Sequence, residues 1–588
     1  MKKYLSVILC IFVLTGAVLG TLFWARAFYQ SLTAYQSPLA EANLPAPPVE
    51  ISKPTGVVVV LVSGLNEDSL DQLTLPNLAQ ISQTGAGAII QGVPPSYSQT
   101  SRWGVLTGAP PETNGAPPVD LPGPARPPVN SDTIFARAHA VGLKTALVGG
   151  DDWRQLVPPG QLDETFFVNA AGPEADQLIF ENAQLLLQAK DINLLFVHFT
   201  QLAYAAHYQG GTSGAAYAQA ASQIDVYLGQ LYQSIDFGRR VLVILGDNGF
   251  TVAGGYGGAE PEVTRRPLVM IGDAIVPGNY SDISPNDVAP TVTTLLGAAP
   301  PALAQGRILF EMLRLDQTDQ TVAQLALARQ RFELAQAYTA AITGQPAAED
   351  LANDLHQAEL SFGQKNANGA FQLALLAQHT ADTAMTAVRR QQIRAEQWPR
   401  LAGAALVFLV WTLVMWRRRG VHLGLILFAA IVTVGLYHVL YQLQGLEYSI
   451  SAITNFTDWP FAIARRITVS LLAGGGLILI MLMLLNEQRW LTLLGTAYGF
   501  GVLVTFIFAL PLFWAFWQNG VTFTWHLPAV DVTFWQVNAL FETMLTAGLS
   551  LLLPWPTMLF ILFVALVRRS LNKTQAQPKP ESLPGLRL

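Results

Sequence analysis

Val241-Leu242-Val243-Ile244-Leu245 runs directly into Gly246-Asp247-Asn248-Gly249-Phe250-Thr251, and Gly254-Gly255-Tyr256-Gly257-Gly258 follows a few residues on. A continuous β-branched apolar run without polar alternation reads as a strand buried on both faces. An acid between glycines at its end reads as a loop at the carboxyl edge of a sheet, where open α/β folds gather their functional groups. Val57–Val62, Leu143–Val148, Leu194–Phe199 and Leu268–Ile271 are runs of the same kind. Amphipathic patterns separate them, at Glu67–Thr84, Ser131–Val141, Glu174–Ala189, Ala215–Ile235 and Pro285–Leu296. Strands alternating with helices predict an α/β fold, a mostly parallel central sheet sandwiched by helices. Its functional loops would be Ser63-Gly64-Leu65, Gly150-Asp151-Asp152-Trp153, Thr200–Gly210 and Gly246-Asp247-Asn248-Gly249.

The chain around this core is too apolar for an ordinary soluble protein: 588 residues, 51% hydrophobic and 13% charged. A net charge of −6 suggests no nucleic-acid partner. One cysteine, Cys10, excludes a disulfide framework and a thiolate metal cluster. After Met1-Lys2-Lys3 an apolar run from Tyr4 to Ala25 is long enough to span a bilayer. It reads as an uncleaved anchor, with a signal peptide ending at Ala25-Arg26-Ala27 as the alternative. Five further runs follow, at Leu401–Trp416, His422–Tyr441, Ile467–Leu485, Leu491–Trp517 and Leu540–Val567.

Threading these spans puts Arg417-Arg418-Arg419, Arg489 and Arg568-Arg569 with Lys573 on the cytoplasmic side, as the positive-inside rule requires. Both termini are then cytoplasmic and the large domain is extracytoplasmic, in a multi-pass protein of a cell membrane. Arg465-Arg466 fall outside that pattern and are assigned to capping an interfacial segment or to contacting lipid phosphate. Ten of the 13 tryptophans lie at or beyond Trp398, as an aromatic belt would place them. His438 and Glu542 lie close to run ends, so an interfacial position is expected for both. The divisions expected are an anchor (1–27), a Pro/Ala-rich linker (28–55), the α/β domain (56–315), a helical connector (316–399), the multi-pass region (400–570) and a tail (571–588). Residues 109–130, dense in Pro and Gly, read as a surface loop.

The order of motifs in 56–312 resembles the alkaline phosphatase superfamily, and most closely its membrane-bound ethanolamine phosphate transferases of the glycosylphosphatidylinositol pathway. The family's first strand ends in a metal-binding Asp, and Ser63 holds that place. Its Thr or Ser nucleophile precedes a Thr-Gly turn; in Pro94-Pro95-Ser96-Tyr97-Ser98-Gln99-Thr100, before Leu106-Thr107-Gly108, the spacing favours Ser98, with Ser96 second. Gly149-Gly150-Asp151-Asp152-Trp153 and Leu156-Val157-Pro158 resemble a family signature of two acids and a Trp. After His198-Phe199 the ligand Asp place holds Ala203, and His207 matches the ligand His. The family's Asp-His-Gly is Asp247-Asn248-Gly249, and its last His is Tyr256. Asp287-Val288-Ala289-Pro290 to Leu295-Leu296-Gly297 resembles the closing helix.

The resemblance implies a two-metal phosphotransferase or phosphodiesterase, and the residues at its ligand places deny it the metals. Each ion needs about three imidazole or carboxylate ligands, and the pair clamps the attacking and leaving oxygens. Of six ligand places His207 and Asp247 remain; Ser63, Ala203 and Asn248 supply neither imidazole nor carboxylate, and Tyr256 could bind only as phenolate. Residues 45–312 hold three histidines, and neither His139 in a helical pattern nor His198 at a strand end is a natural recruit. A serine without a metal or a base is a weak nucleophile. The expectation is therefore a degenerate relative that serves as a binding or scaffold module in the cell envelope. Membrane lipids, a lipid-linked phosphate head group or an envelope protein are its partners, and no cofactor is expected. The alternative is an active enzyme on lipid-linked head groups, with Ser98 as nucleophile, zinc or manganese bound, and Asp151 or Asp152 recruited as ligands.

Overall fold

The computed structural model describes residues 2–40, 42, 44–52, 55–120, 132–158, 160–170, 172–188, 191–346, 350–416, 422–455, 457–485, 489–552 and scattered positions up to 570. The basic clusters at 417–419, 568–569 and 573, part of the 109–130 loop, Ser131 and the 571–588 tail lie outside the described residues.

Eight strands form one sheet: β1 (Gly56–Val62), β2 (Ala86–Gln91), β3 (Lys144–Gly150), β4 (Glu164–Val168), β5 (Ile192–Phe199), β6 (Arg240–Gly246), β7 (Arg265–Ile271) and β8 (Gly278–Asn279). Their order is β4-β3-β5-β1-β6-β7-β2-β8. The first five in that order run parallel, and β7 is antiparallel to both β6 and β2. Strand β1 occupies the centre because every one of Val57–Val62 is buried, three on each face. Val57, Val59 and Leu61 pack with Trp103, Phe135 and Val292, from the helices Ser98–Thr107, Ile134–Ala140 and Val288–Leu295. Val58, Val60 and Val62 pack with Leu78, Ile179 and Ile224, from Pro76–Thr84, Pro173–Gln188 and Ala215–Ser234. Burying each such side chain contributes about 1.5–3 kcal/mol, which makes a slip of this register very costly. The expected mostly parallel, two-sided sheet is the one found.

Local differences have local causes. The pattern Glu67–Thr84 is two helices, Glu67–Gln72 and Pro76–Thr84, because Pro76 starts a new one. Thr200–Gly210, expected as a loop, is mostly the helix Gln201–Tyr208. Its cap comes from another helix: Thr200 and Gln201 donate their backbone N–H groups to the Asp176 carboxylate, at 2.9 and 3.0 Å. Such a non-local cap has no sequence signature at Thr200.

Three helices, Gln317–Thr343, Asp350–Gly363 and Ala367–Trp416, follow the sheet. Arg331 ties the first of them to the globular part by donating to the Gln305 and Gly306 carbonyls at 3.1 and 2.8 Å, and it pairs with Asp382 at 2.5 Å. Five helices among the described residues are long and apolar enough to cross a membrane: the N-terminal one and those within Leu423–Leu443, Trp459–Leu484, Trp490–Asn519 and Val530–Pro556. The 401–416 run is the end of the 50-residue Ala367–Trp416 helix and is not among them. Cys10 and Leu14 pack with Leu494, Tyr498, Val502 and Ala547, so the N-terminal helix joins the C-terminal bundle.

The last of these helices starts at Val530, ten residues before the apolar run, because Asp531, Gln536 and Asn538 lower its hydropathy while it packs. Glu542 therefore lies mid-helix, 9% exposed, and accepts a 2.6 Å hydrogen bond from Tyr437; the expected interfacial position at a run end does not hold for it. Arg466 is also buried, among Tyr437, Tyr441 and Trp459, whereas Arg465 is exposed.

Candidate functional site

Three central strands bring the site together at their carboxyl ends. Leu61 is in register with His198, and Val62 with Phe199 and Gly246. Ser63, His198 and Asp247 therefore meet by backbone geometry alone, each at most 1% exposed.

They form one directed hydrogen-bond chain. Trp153 Nε1 lies 2.8 Å from His198 Nδ1, and an indole nitrogen only donates, so Nδ1 accepts. The proton of a neutral His198 ring is then on Nε2, which donates to Ser63 Oγ at 2.8 Å. Ser63 donates its own hydroxyl hydrogen bond to Asp247 Oδ2 at 2.5 Å. Burial, and next the Arg102 charge, hold His198 well below its ordinary value, in keeping with a neutral ring. The polarity runs Trp153 to His198 to Ser63 to Asp247. This is not a serine–histidine–acid catalytic arrangement, since the imidazole donates to the serine and has no free lone pair with which to deprotonate it. His198, set aside in the sequence as a metal ligand, lies at the centre of the hydrogen-bond chain, a role that the strand register gives it.

Arg102 supplies the positive charge. It lies one helical turn after Ser98 on the Ser98–Thr107 helix and is 7% exposed. Its Nη1 pairs closely with Asp152, its Nε is 3.7 Å from Asp247 Oδ2, and its guanidinium lies 5.6 Å from the centre of the Trp153 ring. Burial pulls Arg102 down, but Asp152 and Asp247 outweigh it and leave it above its usual value. Burial pushes the Asp247 carboxyl up, against Arg102, the Ser63 hydroxyl and the Asn248 N–H, which donates to Oδ1 at 2.7 Å. Sequence reasoning missed Arg102; the available signal was a lone cation four residues after the candidate nucleophile.

Ser98 opens its helix and is half-buried. Its Oγ–H donates to Asn248 Oδ1 at 2.8 Å, and an amide oxygen cannot take that proton away. Ser96 is buried, with its Oγ unpartnered. His207 donates Nδ1–H to the Gly254 carbonyl at 2.9 Å and stands edge-on to Tyr256, ring centres 5.3 Å apart. Tyr256 donates to Asp120 Oδ2 at 2.9 Å. Burial, reinforced by Asp120, raises its phenol well above its usual value. Ala203 lies in the Gln201–Tyr208 helix with only a methyl group to offer. Asp151 is exposed and pairs with Arg154 at 3.0 Å, and Asp152 is taken by Arg102.

These residues do not fit a two-metal centre. Among the described residues no three His, Cys, Asp or Glu side chains gather as a metal site would need. The Asp247 carboxylate is already occupied by Ser63, Asn248 and a guanidinium, and a divalent cation beside it would face the Arg102 charge. The arrangement can bind and orient polar groups.

The glycine-rich turn that carries Tyr256 is docked on the membrane part. Gly258 N–H donates to Ser451 Oγ at 2.9 Å, and Ser451 donates to Glu260 Oε2 at 2.8 Å. A Cβ on Gly255 would lie 1.8 Å from the Ser451 carbonyl oxygen, so this contact requires glycine.

The sheet with its carboxyl-edge site, and five helices among the described residues long and apolar enough to cross a membrane, define an α/β protein with membrane helices. Its sequence relatives are glycosylphosphatidylinositol (GPI) ethanolamine phosphate transferases. The chain is 26% identical over 290 residues to the catalytic subunit of GPI ethanolamine phosphate transferase 2 of Homo sapiens, covering 45% of this chain and 28% of that one. It is 25% identical over 288 residues to GPI ethanolamine phosphate transferase 2 of Yarrowia lipolytica, covering 44% and 33%. The match thus spans about a third of the length of these relatives. No family model matches. Similar solved structures include a protein of the alkaline phosphatase superfamily from Vibrio parahaemolyticus (18% identity, TM-score 0.35, 49% of this chain and 78% of that one). Murine ectonucleotide pyrophosphatase/phosphodiesterase 5 is another (11%, TM-score 0.34, 42% and 96%).

Proposed function

We propose that this protein is a metal-independent, non-transferring relative of the phosphoethanolamine transferases that works as a binding or scaffold module in a cell envelope. Its partner is a lipid-linked phosphate head group or an envelope protein. The observation that carries this reading is the closed chain Trp153–His198–Ser63–Asp247 with Arg102 beside it. A buried network in which each donor is already directed to an acceptor holds structure and leaves no group poised to move a proton. We take 56–315 as the binding unit, 316–399 as its connector and 400–570 as its membrane seat; with the 401–416 end of the connector helix crossing as a sixth span, the unit is extracytoplasmic and both termini are cytoplasmic.

A second reading keeps Ser98 as a covalent nucleophile on lipid-linked head groups with zinc or manganese bound, and its place at a helix start beside Asn248 favours it. Hydrolysis of an aryl phosphodiester by the full chain, alone and with added zinc or manganese, separates the two. The first reading expects no turnover above buffer in the parent or in Ser98→Ala. Turnover in the parent that Ser98→Ala abolishes would replace it with the second.

A further inference from the structure

A cavity of about 570 Å³ lies away from the Ser98–Asn248 contact, between the globular part, the connector helices and the loop that leads into Val530–Leu552. Ser96 lines it and Ser98 does not. Its lining is divided by chemistry. Arg266, Ser96 and Ser101 are among its polar members, Leu527, Pro528, Ala529 and Val530 with Met385 from the connector among its apolar ones, and Glu112 and Asp531 are its carboxylates.

Arg266 is the unusual group. It is 2% exposed, and its Nε has no hydrogen-bond partner. It makes a long hydrogen bond, Nη1 to Ser101 Oγ at 3.3 Å, and among the described residues no carboxylate lies within ion-pair distance of it. Burial pulls its guanidinium down to about 10, with Asp247 acting the other way, so it remains a cation at neutral pH. Ser96 Oγ, beside the same cavity, is buried and unpartnered as well. Gly92 makes the room: a Cβ there would lie 2.8 Å from Arg266 Nη2. The other cation of the lining, Arg389, is already paired with Glu112. A buried, unpaired cation is costly unless an anion completes it.

We infer that this cavity holds the phosphate of a membrane lipid, with Arg266 and Ser96 on the phosphate oxygens and the apolar chains against Leu527–Val530 and Met385. A guanidinium fits phosphate oxygens with paired donors. The apolar wall belongs to the start of a helix long enough to cross a membrane, which selects a lipid over a free anion. The inference rests on the reading above, that the protein binds phosphate groups and does not transfer them.

The test uses the full chain in detergent, titrated with a fluorescent short-chain phosphatidic acid, the matching diacylglycerol, and inorganic phosphate as competitor. Saturable binding of the phosphatidic acid is expected, at least about tenfold tighter than the diacylglycerol, and weakened about tenfold by Arg266→Met. Ala529→Trp, at an exposed position of the lining, fills the cavity while leaving Arg266 in place, and is expected to weaken binding equally; it decides the matter if Arg266→Met does not fold. Equal affinity for both lipids, or unchanged affinity in a folded variant, overturns the inference. Inorganic phosphate binding as tightly as the lipid overturns the choice of a lipid. Metal analysis of the same preparation keeps the two readings apart: bound zinc with lipid binding intact sinks only the proposed function, and no metal with no lipid binding sinks only this site.

Discussion

Arg102 Nε lies 3.7 Å from Asp247 Oδ2 inside the protein, and the same guanidinium is closed off on its other side by Asp152. A fixed side-chain cation stands beside the carboxylate that the order of motifs in 56–312 marks as a metal-ligand place. Removing one partner of a buried pair leaves an uncompensated charge and costs about 3–5 kcal/mol. Arg102→Met is therefore expected to lower the thermal midpoint of the full chain in detergent strongly, and Arg102→Met with Asp152→Asn to recover part of the loss. A midpoint within a degree or so of the parent's would show that the pair is incidental.

The tautomer of His198 is expected to depend on Trp153. In the parent, ¹⁵N spectra should show His198 protonated on Nε2 alone. Trp153→Phe removes the donor that fixes it and should bring in the Nδ1–H form, at a cost of about 1–3 kcal/mol for the unpaired nitrogen. Ser63→Ala should cost a similar amount while leaving the tautomer unchanged. An Nδ1–H ring in the parent would contradict the chain as drawn.

The same histidine sets an acid limit. Its folded value is held well below 6.5, so on acidification the unfolded chain takes up a proton there before the folded chain does. The stability it contributes is present above about 6.5 and is lost as the pH falls toward the folded value, by up to about 1.4 kcal/mol per pH unit. Asp176, which burial pushes up to about 6, works in the opposite direction between its ordinary value and 6, so the informative quantity is a difference. Subtracting the stability profile of His198→Gln from that of the parent should leave a slope below pH 6.5 and none above it. A flat difference would mean that His198 titrates alike in the folded and unfolded chain, and a slope above pH 6.5 that the imidazole is protonated in the fold.

Gly255 is where the site's own turn meets the membrane part. A side chain there must push against the Ser451 backbone, so Gly255→Val is expected to break the Gly258–Ser451–Glu260 bonds. Hydrogen exchange should rise at 256–260 and 449–453 and stay unchanged in β1 and β6. Unaltered exchange at 449–453 would show that the turn and the loop do not depend on each other.

The parts of this structure that were legible in the sequence are those whose signal is local. Val57–Val62 and Val241–Leu245 announce central strands because nothing but a two-sided core tolerates such runs. Strand β2, Ala86–Gln91, did not show, because Ala-Gly-Ala carries little β signal and pairing with β7 holds it in place. In the same way Ser63 and Asp247 were found from position in a motif, whereas His198 needed the register Leu61 to His198 and Arg102 needed the turn of a helix that its Pro-rich approach concealed. Glu542 was misplaced because polar residues at the start of its helix look like solvent exposure, whereas Gln536 and Asn538 are packed. The substitutions at the ligand places were readable one by one. The ion pairs and hydrogen bonds that take the place of ligands were not, since they join residues far apart in the chain.

The central claim is that Arg102 and the Trp153–His198–Ser63 chain hold Asp247, a metal-ligand place by the resemblance of 56–312, without a metal ion. Metal analysis of the full-length protein, purified without chelator and dialysed against zinc and manganese, tests it most directly. The account expects well below one ion per chain, unchanged in Asp247→Asn. One or two ions per chain, lost in Asp247→Asn, would contradict it.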